Sequence, residues 1–268
     1  MKKVMTLVLA LTLVLALTAC GSSAADDKTI KVGASPAPHA EILEVAAEIL
    51  KEDGYTLKIV NFDDYILPNK SLDAGELDAN YFQHVTYMNN FNDEFGIHMV
   101  NAAGIHYEPF GIYAGKTAAL SDLADGAKIA VPNDVTNEAR ALLLLEQEGL
   151  IKLKEGAGLT ATKMDIAENP HNFDIVETKA ELLPNVLADV DVAVINGNFA
   201  INAGLKVKDA LAVEAADGAA AEAYVNVIAV NEGNENSEKI QALIKALKSD
   251  KVRTFIADTY EGAVVTVD

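Results

Sequence analysis

From residue 29 onward, short apolar runs of strand character alternate with longer runs of helical spacing, and this alternation constrains the fold more than any other feature. Residues 30–35 (IKVGAS) have strand character, and 39–51 carries Ile42, Leu43, Ala46, Ile49 and Leu50 at helical spacing. Gly54 stops that helix. Further strands are expected at 57–62, 100–103, 128–131, 174–176, 190–195 and 225–230. Further helices are expected at 136–148, closed by Gly149, at 237–248 and at 251–258. Strands separated by helices imply an α/β fold of βα units with mostly parallel sheets. A chain of 268 residues is long enough for one large core or two of ordinary size.

The first nineteen residues stand outside this pattern. Lys2 and Lys3 precede an almost wholly apolar stretch from Val4 to Leu17, and Leu17-Thr18-Ala19-Cys20 follows. The stretch is shorter than the roughly 20 residues needed to span a bilayer, so it has the layout of an export signal, 1–19. Its end resembles a bacterial lipobox, which implies acylation of Cys20 and a lipid tether on the extracytoplasmic face of the cell membrane. Residues 20–28 are mostly small and polar and suit a flexible linker.

The chain has 21 basic and 40 acidic residues, a net charge of −19. Such a surface repels nucleic acid, which is bound through many Lys and Arg contacts to phosphate. Cys20 is the one cysteine, so internal disulfides and multi-cysteine metal sites are excluded. Catalytic signatures are missing too. There is no GxSxG elbow and no Walker loop, and His39, His84, His98, His106 and His171 show neither HxxxH nor HExxH spacing. The GxGxxA pattern at 156–161 follows a charged segment rather than a buried strand, so it does not read as a dinucleotide turn. Asp63-Asp64 reads as a turn or helix cap. These observations predict a protein that is not an enzyme and needs no cofactor or metal.

In α/β folds ligands gather where strands end and helices begin. Four segments qualify, at 35–39, 63–69, 132–140 and 196–198. Arg140 falls within the first two turns of the helix expected after Asp134, where a cation opposes the helix dipole and a bound carboxylate would relieve it. Asn137 lies three residues earlier, on the same face. Together they suggest a small anion seat, although pairing of Arg140 with a nearby acid is the ordinary alternative. If Arg140 faces only a ligand, its loss should weaken binding and leave the empty protein nearly as stable. A second cluster is aromatic: Tyr65, then Phe82, His84 and Tyr87 within 80–87 (NYFQHVTY). Such rings can wall an apolar or thioether side chain.

At these residues the sequence resembles the NlpA family of methionine-binding lipoproteins, the substrate-binding components of methionine ABC importers. The matching stretches include KVGASPAPHAEIL (31–43), FDDYILPNKSLDAGELDANYFQH (62–84), GIHYEPFGIY (104–113), KIAVPNDVTNEARALLLLEQEGLIKLKEGAGLTAT (128–162), ENPHNFDIVE (168–177) and AVINGNFAINAGL (193–205). The resemblance implies a two-lobe periplasmic-binding-protein fold, type II-like, with two interlobe crossings and a ligand cleft between the lobes. The crossings are expected near 111–113 and 226–230, giving lobe one as 29–112 plus 228–268 and lobe two as 113–227. It also implies that Arg140 and Asn137 hold a ligand carboxylate. Asn196, Asn198 and Asn226 would contact the rest of the amino-acid backbone, and Tyr65, Phe82, His84 and Tyr87 would enclose the side chain. The implied cargo is L-methionine, with D-methionine, a Met dipeptide or another small amino acid as alternatives. The implied partners are an ABC permease and, through it, an ATPase. Lower alternatives are an extracytoplasmic enzyme and a surface adhesin.

Overall fold

A computed structural model describes residues 28–215 and 222–267. The signal segment, Cys20 and most of the linker lie outside the described residues. The chain begins with β1 (Thr29–Ala34), α1 (Glu41–Glu52), β2 (Thr56–Asn61), α2 (Leu67–Asp73), β3 (Ala79–His84), α3 (Val85–Phe95) and β4 (Met99–Tyr107). It continues through β5 (Gly111–Ala114), β6 (Lys128–Pro132), α4 (Val135–Gln147), β7 (Lys152–Leu153), β8 (Ile166–Glu168), β9 (Asp174–Thr178), α5 (Leu183–Val186), β10 (Val192–Ile195), α6 (Gly197–Asn202) and β11 (Ala212–Val213). It ends with β12 (Val225–Asn231), α7 (Glu238–Leu247), α8 (Asp250–Tyr260) and β13 (Val265–Thr266).

Two principal sheets result, one of six strands in the order β13-β4-β12-β3-β1-β2 and one of five in the order β11-β5-β10-β6-β9. The first packs Val32 and Ala34 of β1 under Ile42, Leu43, Ala46 and Leu50 of α1, with Leu243, Val252 and Ile256 of α7 and α8 completing the layer. These are the apolar positions that the helical spacing marked, and each large aliphatic side chain buried this way stabilises by about 1.5–3 kcal/mol. The second sheet buries Leu142 and Leu145 of α4 against Ile129, Val131, Val192 and Val194.

The expectation of mostly parallel sheets is overturned. β1 runs parallel to β2 and β3, and β6 runs parallel to β9 and β10. By contrast, β12 is antiparallel to both β3 and β4, β5 is antiparallel to β10 and β11, β13 is antiparallel to β4, and β7 is antiparallel to β8. The cause is the path of the chain. Strands β5 and β12 arrive from the other sheet and neither follows a neighbouring strand of its own sheet in a βαβ unit, so the parallel direction that such a unit imposes is not required of them.

The chain passes between sheets twice, at 108–110 and between β11 and β12. Gly111 and Ile112, assigned to lobe one from the sequence, pair with β10 and β11 in the second sheet. Val225, Asn226 and Val227, assigned to lobe two, pair with β4 in the first. Backbone pairing fixes sheet membership here, and the side-chain pattern of these short apolar runs does not distinguish the two sheets. Among the described residues no helix is long and apolar enough to cross a membrane.

Candidate functional site

The C-terminal ends of β3, β6 and β10 point to one cleft between the sheets. All nine of the sequence-predicted ligand residues line it: Tyr65, Phe82, His84, Tyr87, Asn137, Arg140, Asn196, Asn198 and Asn226. Gln83, Glu108 and Gly197 line it as well and were not predicted.

The second sheet supplies Arg140. Asp134 caps α4, its carboxylate accepting from the Asn137 backbone N–H (3.0 Å) and from the Thr136 hydroxyl (3.1 Å). The helix N-terminus therefore already has an anion of its own. Arg140 is buried, and its guanidinium is engaged from within the chain. Nε donates to Glu214 Oε1 (3.0 Å) and Oε2 (3.1 Å), and Nη2 donates to Glu214 Oε2 (2.6 Å) and to the Glu108 carbonyl (2.8 Å). Its flat face lies 4.2 Å from the Tyr224 ring centroid and 4.8 Å from that of Phe110. Burial alone would make this guanidinium less basic, but the charge and hydrogen bonds of Glu214 raise it overall. The ordinary alternative for Arg140, an acid partner, is thus realised, with a half-buried acid distant in sequence. Nη1 has no partner among the described residues.

Asn137 lines the cleft, yet its amide is committed to protein partners. Oδ1 accepts from His84 Nε2 (3.1 Å) and Asn196 Nδ2 (2.8 Å), while Nδ2 donates to the Asp134 carboxylate (2.9 and 3.0 Å). His84 accepts at Nδ1 from the Tyr87 backbone N–H (3.0 Å), which caps α3 and leaves Nε2 as the donor toward Asn137. Burial, followed by the charge of Arg140, pushes the His84 imidazole down to about 3, so the ring is neutral. The expected shared anion seat is therefore corrected: Asn137 links the two sheets, and the remaining valence is on Arg140.

Glu108 sits in the first crossing and belongs to a buried cluster. His106 Nε2 lies 2.7 Å from its Oε1 and His39 Nε2 lies 3.4 Å away. Burial pushes His39 down to about 4 and His106 to about 3, so both rings are neutral near pH 7. The neutral tautomers that satisfy every partner have the Ser35 hydroxyl donating to His39 Nδ1 (2.6 Å) and the Tyr81 hydroxyl donating to His106 Nδ1 (2.5 Å). The His106 Nε2–H then donates to Glu108, and the His39 Nε2–H donates to Asn226 Oδ1 at 3.0 Å with the Glu108 carboxyl 3.4 Å away. The carboxylate packs on Gly197, where a Cβ would come within 2.7 Å of Oε2. Burial raises the Glu108 carboxyl above its usual range. No sequence motif links residues 39, 106 and 108, which is why the cluster escaped notice.

The first sheet supplies the aromatic wall. Ring centroids of Tyr65 and Phe82 are 5.7 Å apart, those of Tyr65 and Tyr87 5.6 Å, and Tyr65 lies 4.9 Å from Phe199 of α6. Tyr65 packs against apolar clusters of both sheets, and its hydroxyl donates to Asn198 Oδ1 (2.5 Å). The wall thus touches both sides of the cleft. Asp64 has the bland role assigned to it, its carboxylate accepting from the backbone N–H groups of Ile66 and Leu67.

Three buried polar atoms around the cleft lack partners: Asn196 Oδ1, Asn198 Nδ2 and the Tyr224 hydroxyl. An unpaired buried polar group costs about 1–3 kcal/mol, so such groups persist where something outside the chain completes them. An acceptor, a donor and a hydroxyl beside a carboxylate and a guanidinium form a set suited to a small zwitterion.

Two α/β lobes joined by two crossings around such a cleft define a two-lobe substrate-binding protein. Solved structures agree: a lipoprotein from Ruminococcus gnavus superimposes with a TM-score of 0.89 at 58% identity, covering 90% of this chain and all of that one. A nutrient-binding protein from Burkholderia cenocepacia, solved bound to methionine, superimposes with a TM-score of 0.85 at 43% identity, covering 89% of this chain and all of that one. The profile of the NlpA lipoprotein family matches residues 30–267, and this chain belongs to that family. The methionine-binding lipoprotein MetQ of Bacillus subtilis is 41% identical over 259 residues, 94% of this chain and 93% of its own length.

Proposed function

We propose that this protein is an extracytoplasmic, lipid-anchored receptor that captures methionine and delivers it to an ABC import permease driven by an ATPase. The observation that carries the reading is the cleft itself, in which an aromatic wall faces unpaired buried polar atoms. The ligand ammonium would sit between Glu108 and Asn196 Oδ1. The carboxylate would take Arg140 Nη1 and Asn198 Nδ2, and the thioether chain would lie among Tyr65, Phe82, His84 and Tyr87. A relative solved with methionine and one named for methionine binding support this cargo. No bond in the cargo is made or broken.

The sheets would act as lobes that close on the ligand. The bonds from Tyr65 to Asn198, from His84 to Asn137, and from the Ala37 backbone N–H to Asn202 Oδ1 (3.1 Å) join one side to the other and would hold the closed state.

Mass spectrometry of ligand released from denatured, freshly purified protein should detect methionine, and calorimetry should show it rebinding. Release of no amino acid and no binding of L-methionine, D-methionine or Gly-Met would overturn the reading. Cys20→Ala should move the protein from the membrane fraction to the soluble extracytoplasmic fraction, and continued retention would exclude lipidation as the sole tether.

A further inference from the structure

Arg140 supplies the guanidinium and Glu108 the carboxyl group that line the cleft, and their surroundings differ. Arg140 already has a full counter-charge: both Glu214 oxygens face its Nε and Nη2 edge. Glu214 also accepts from the Tyr107 hydroxyl and the Phe110 backbone N–H (3.4 Å). One half-buried carboxylate thereby ties the first crossing to the start of the second and fixes the guanidinium with Nη1 left over. Glu108, in contrast, is met by one neutral imidazole donor, His106, with the neutral His39 ring 3.4 Å away, and by no cationic side chain within ion-pair distance among the described residues. Arg140 lends it only partial relief across the cleft, since that charge is shared with Glu214.

We propose that Glu214 is a positioning residue that neutralises Arg140 in place, so that the charge selected by the cleft is the ligand's ammonium group at Glu108, with its carboxylate a secondary determinant. This rests on the receptor reading above and narrows it to ligands bearing a free amine. A buried carboxylate lacking a cationic partner gains most from a ligand cation, because each such charge is costly until paired. A guanidinium that already has a bidentate partner gains less from a second anion.

The test measures affinities of the intact protein for three probes: L-methionine, methioninol, which keeps the amine and lacks the carboxylate, and 2-hydroxy-4-(methylthio)butanoate, which keeps the carboxylate and lacks the amine. Loss of the amine should weaken binding at least about 100-fold and loss of the carboxylate about tenfold, within the range of charged hydrogen bonds. In Glu214→Gln the preference for methionine over methioninol should rise by about tenfold, because Arg140 then meets the ligand carboxylate without a competing charge. Glu214→Asp should restore the wild-type ranking. A role for Glu214 confined to holding the fold would weaken all three probes alike, which would overturn the assignment. A hydroxy acid that binds wild type as tightly as methioninol, while methionine binds well, overturns it even if neither variant folds. Failure of all three probes on the wild type would instead overturn the receptor reading.

Discussion

The two walls of the cleft treat buried polar groups in opposite ways. On the first sheet, β3 places Asn80 and Gln83 beside Asn69, and their amides satisfy one another through four bonds of 2.7–2.9 Å. On the second, the loop and helix after β10 leave Asn196 Oδ1 and Asn198 Nδ2 without partners. The closed amide network behind the aromatic wall stiffens a surface that only has to fit a shape. The open valences opposite are the groups proposed to meet the ligand. A buried amide by itself therefore does not mark a binding residue; its unmet hydrogen bond does.

This contrast can be broken at several points. Arg140→Ala should have the largest effect. It leaves the half-buried Glu214 without its cation and opens the space that the buried guanidinium filled, so the empty protein should lose about 2–4 kcal/mol in chemical denaturation. That reverses the outcome expected when Arg140 was taken to face only a ligand, and an unchanged unfolding midpoint would show that the Glu214 pair adds nothing. Next come two amides matched in type. Asn80→Ala should cost about 1–3 kcal/mol of stability by stranding its partners, with little change in affinity. Asn198→Ala should do the reverse, weakening methionine about tenfold while the melting temperature of the empty protein falls little. Equal behaviour of the two would erase the distinction between closed and open walls.

The pH dependence tests Glu108. Its carboxyl is raised by burial from the ordinary 4.5, and protonation removes the charge that an ammonium would meet. Affinity should therefore fall as the pH drops through the raised titration of Glu108, which lies above 4.5, by no more than about tenfold per pH unit. His39 and His106, at about 4 and 3, stay neutral through most of that window and do not produce the loss. Calorimetry from pH 8 to 5 that shows constant affinity in wild type, or the same fall in Glu108→Gln, would remove Glu108 from the site. Tyr65→Phe should have the smallest effect, about 0.5–1.5 kcal/mol of ligand affinity through the lost interlobe bond to Asn198.

Much of the fold was legible because periodicity reports burial. α1, α4, α7 and α8 each appear within two residues of the expected spans at both ends, since a helix with one buried face repeats its apolar residues every three to four positions. β3 was missed. It is buried at all six positions yet reads Ala-Asn-Tyr-Phe-Gln-His, and a strand covered on both faces whose polar groups satisfy one another has no period-two signature. Within the site, the residues singled out from the sequence do converge on one cleft. Glu108 and Glu214 were invisible, because two functional acids among 40 acidic residues carry no distinguishing spacing.

By itself the sequence determined the α/β class and a family likeness whose Arg140 and aromatic residues line one cleft. Those properties depend on local periodicity, composition and ordered motifs, all of which a linear chain records. Only the tertiary structure decided which strands run antiparallel, that Asn137 is committed to other side chains, and that Arg140 meets a counter-ion 74 residues away. Charge pairing and hydrogen-bond satisfaction depend on distance in space, and the same arginine could be an open anion seat or half of a closed ion pair without any change in its neighbours along the chain.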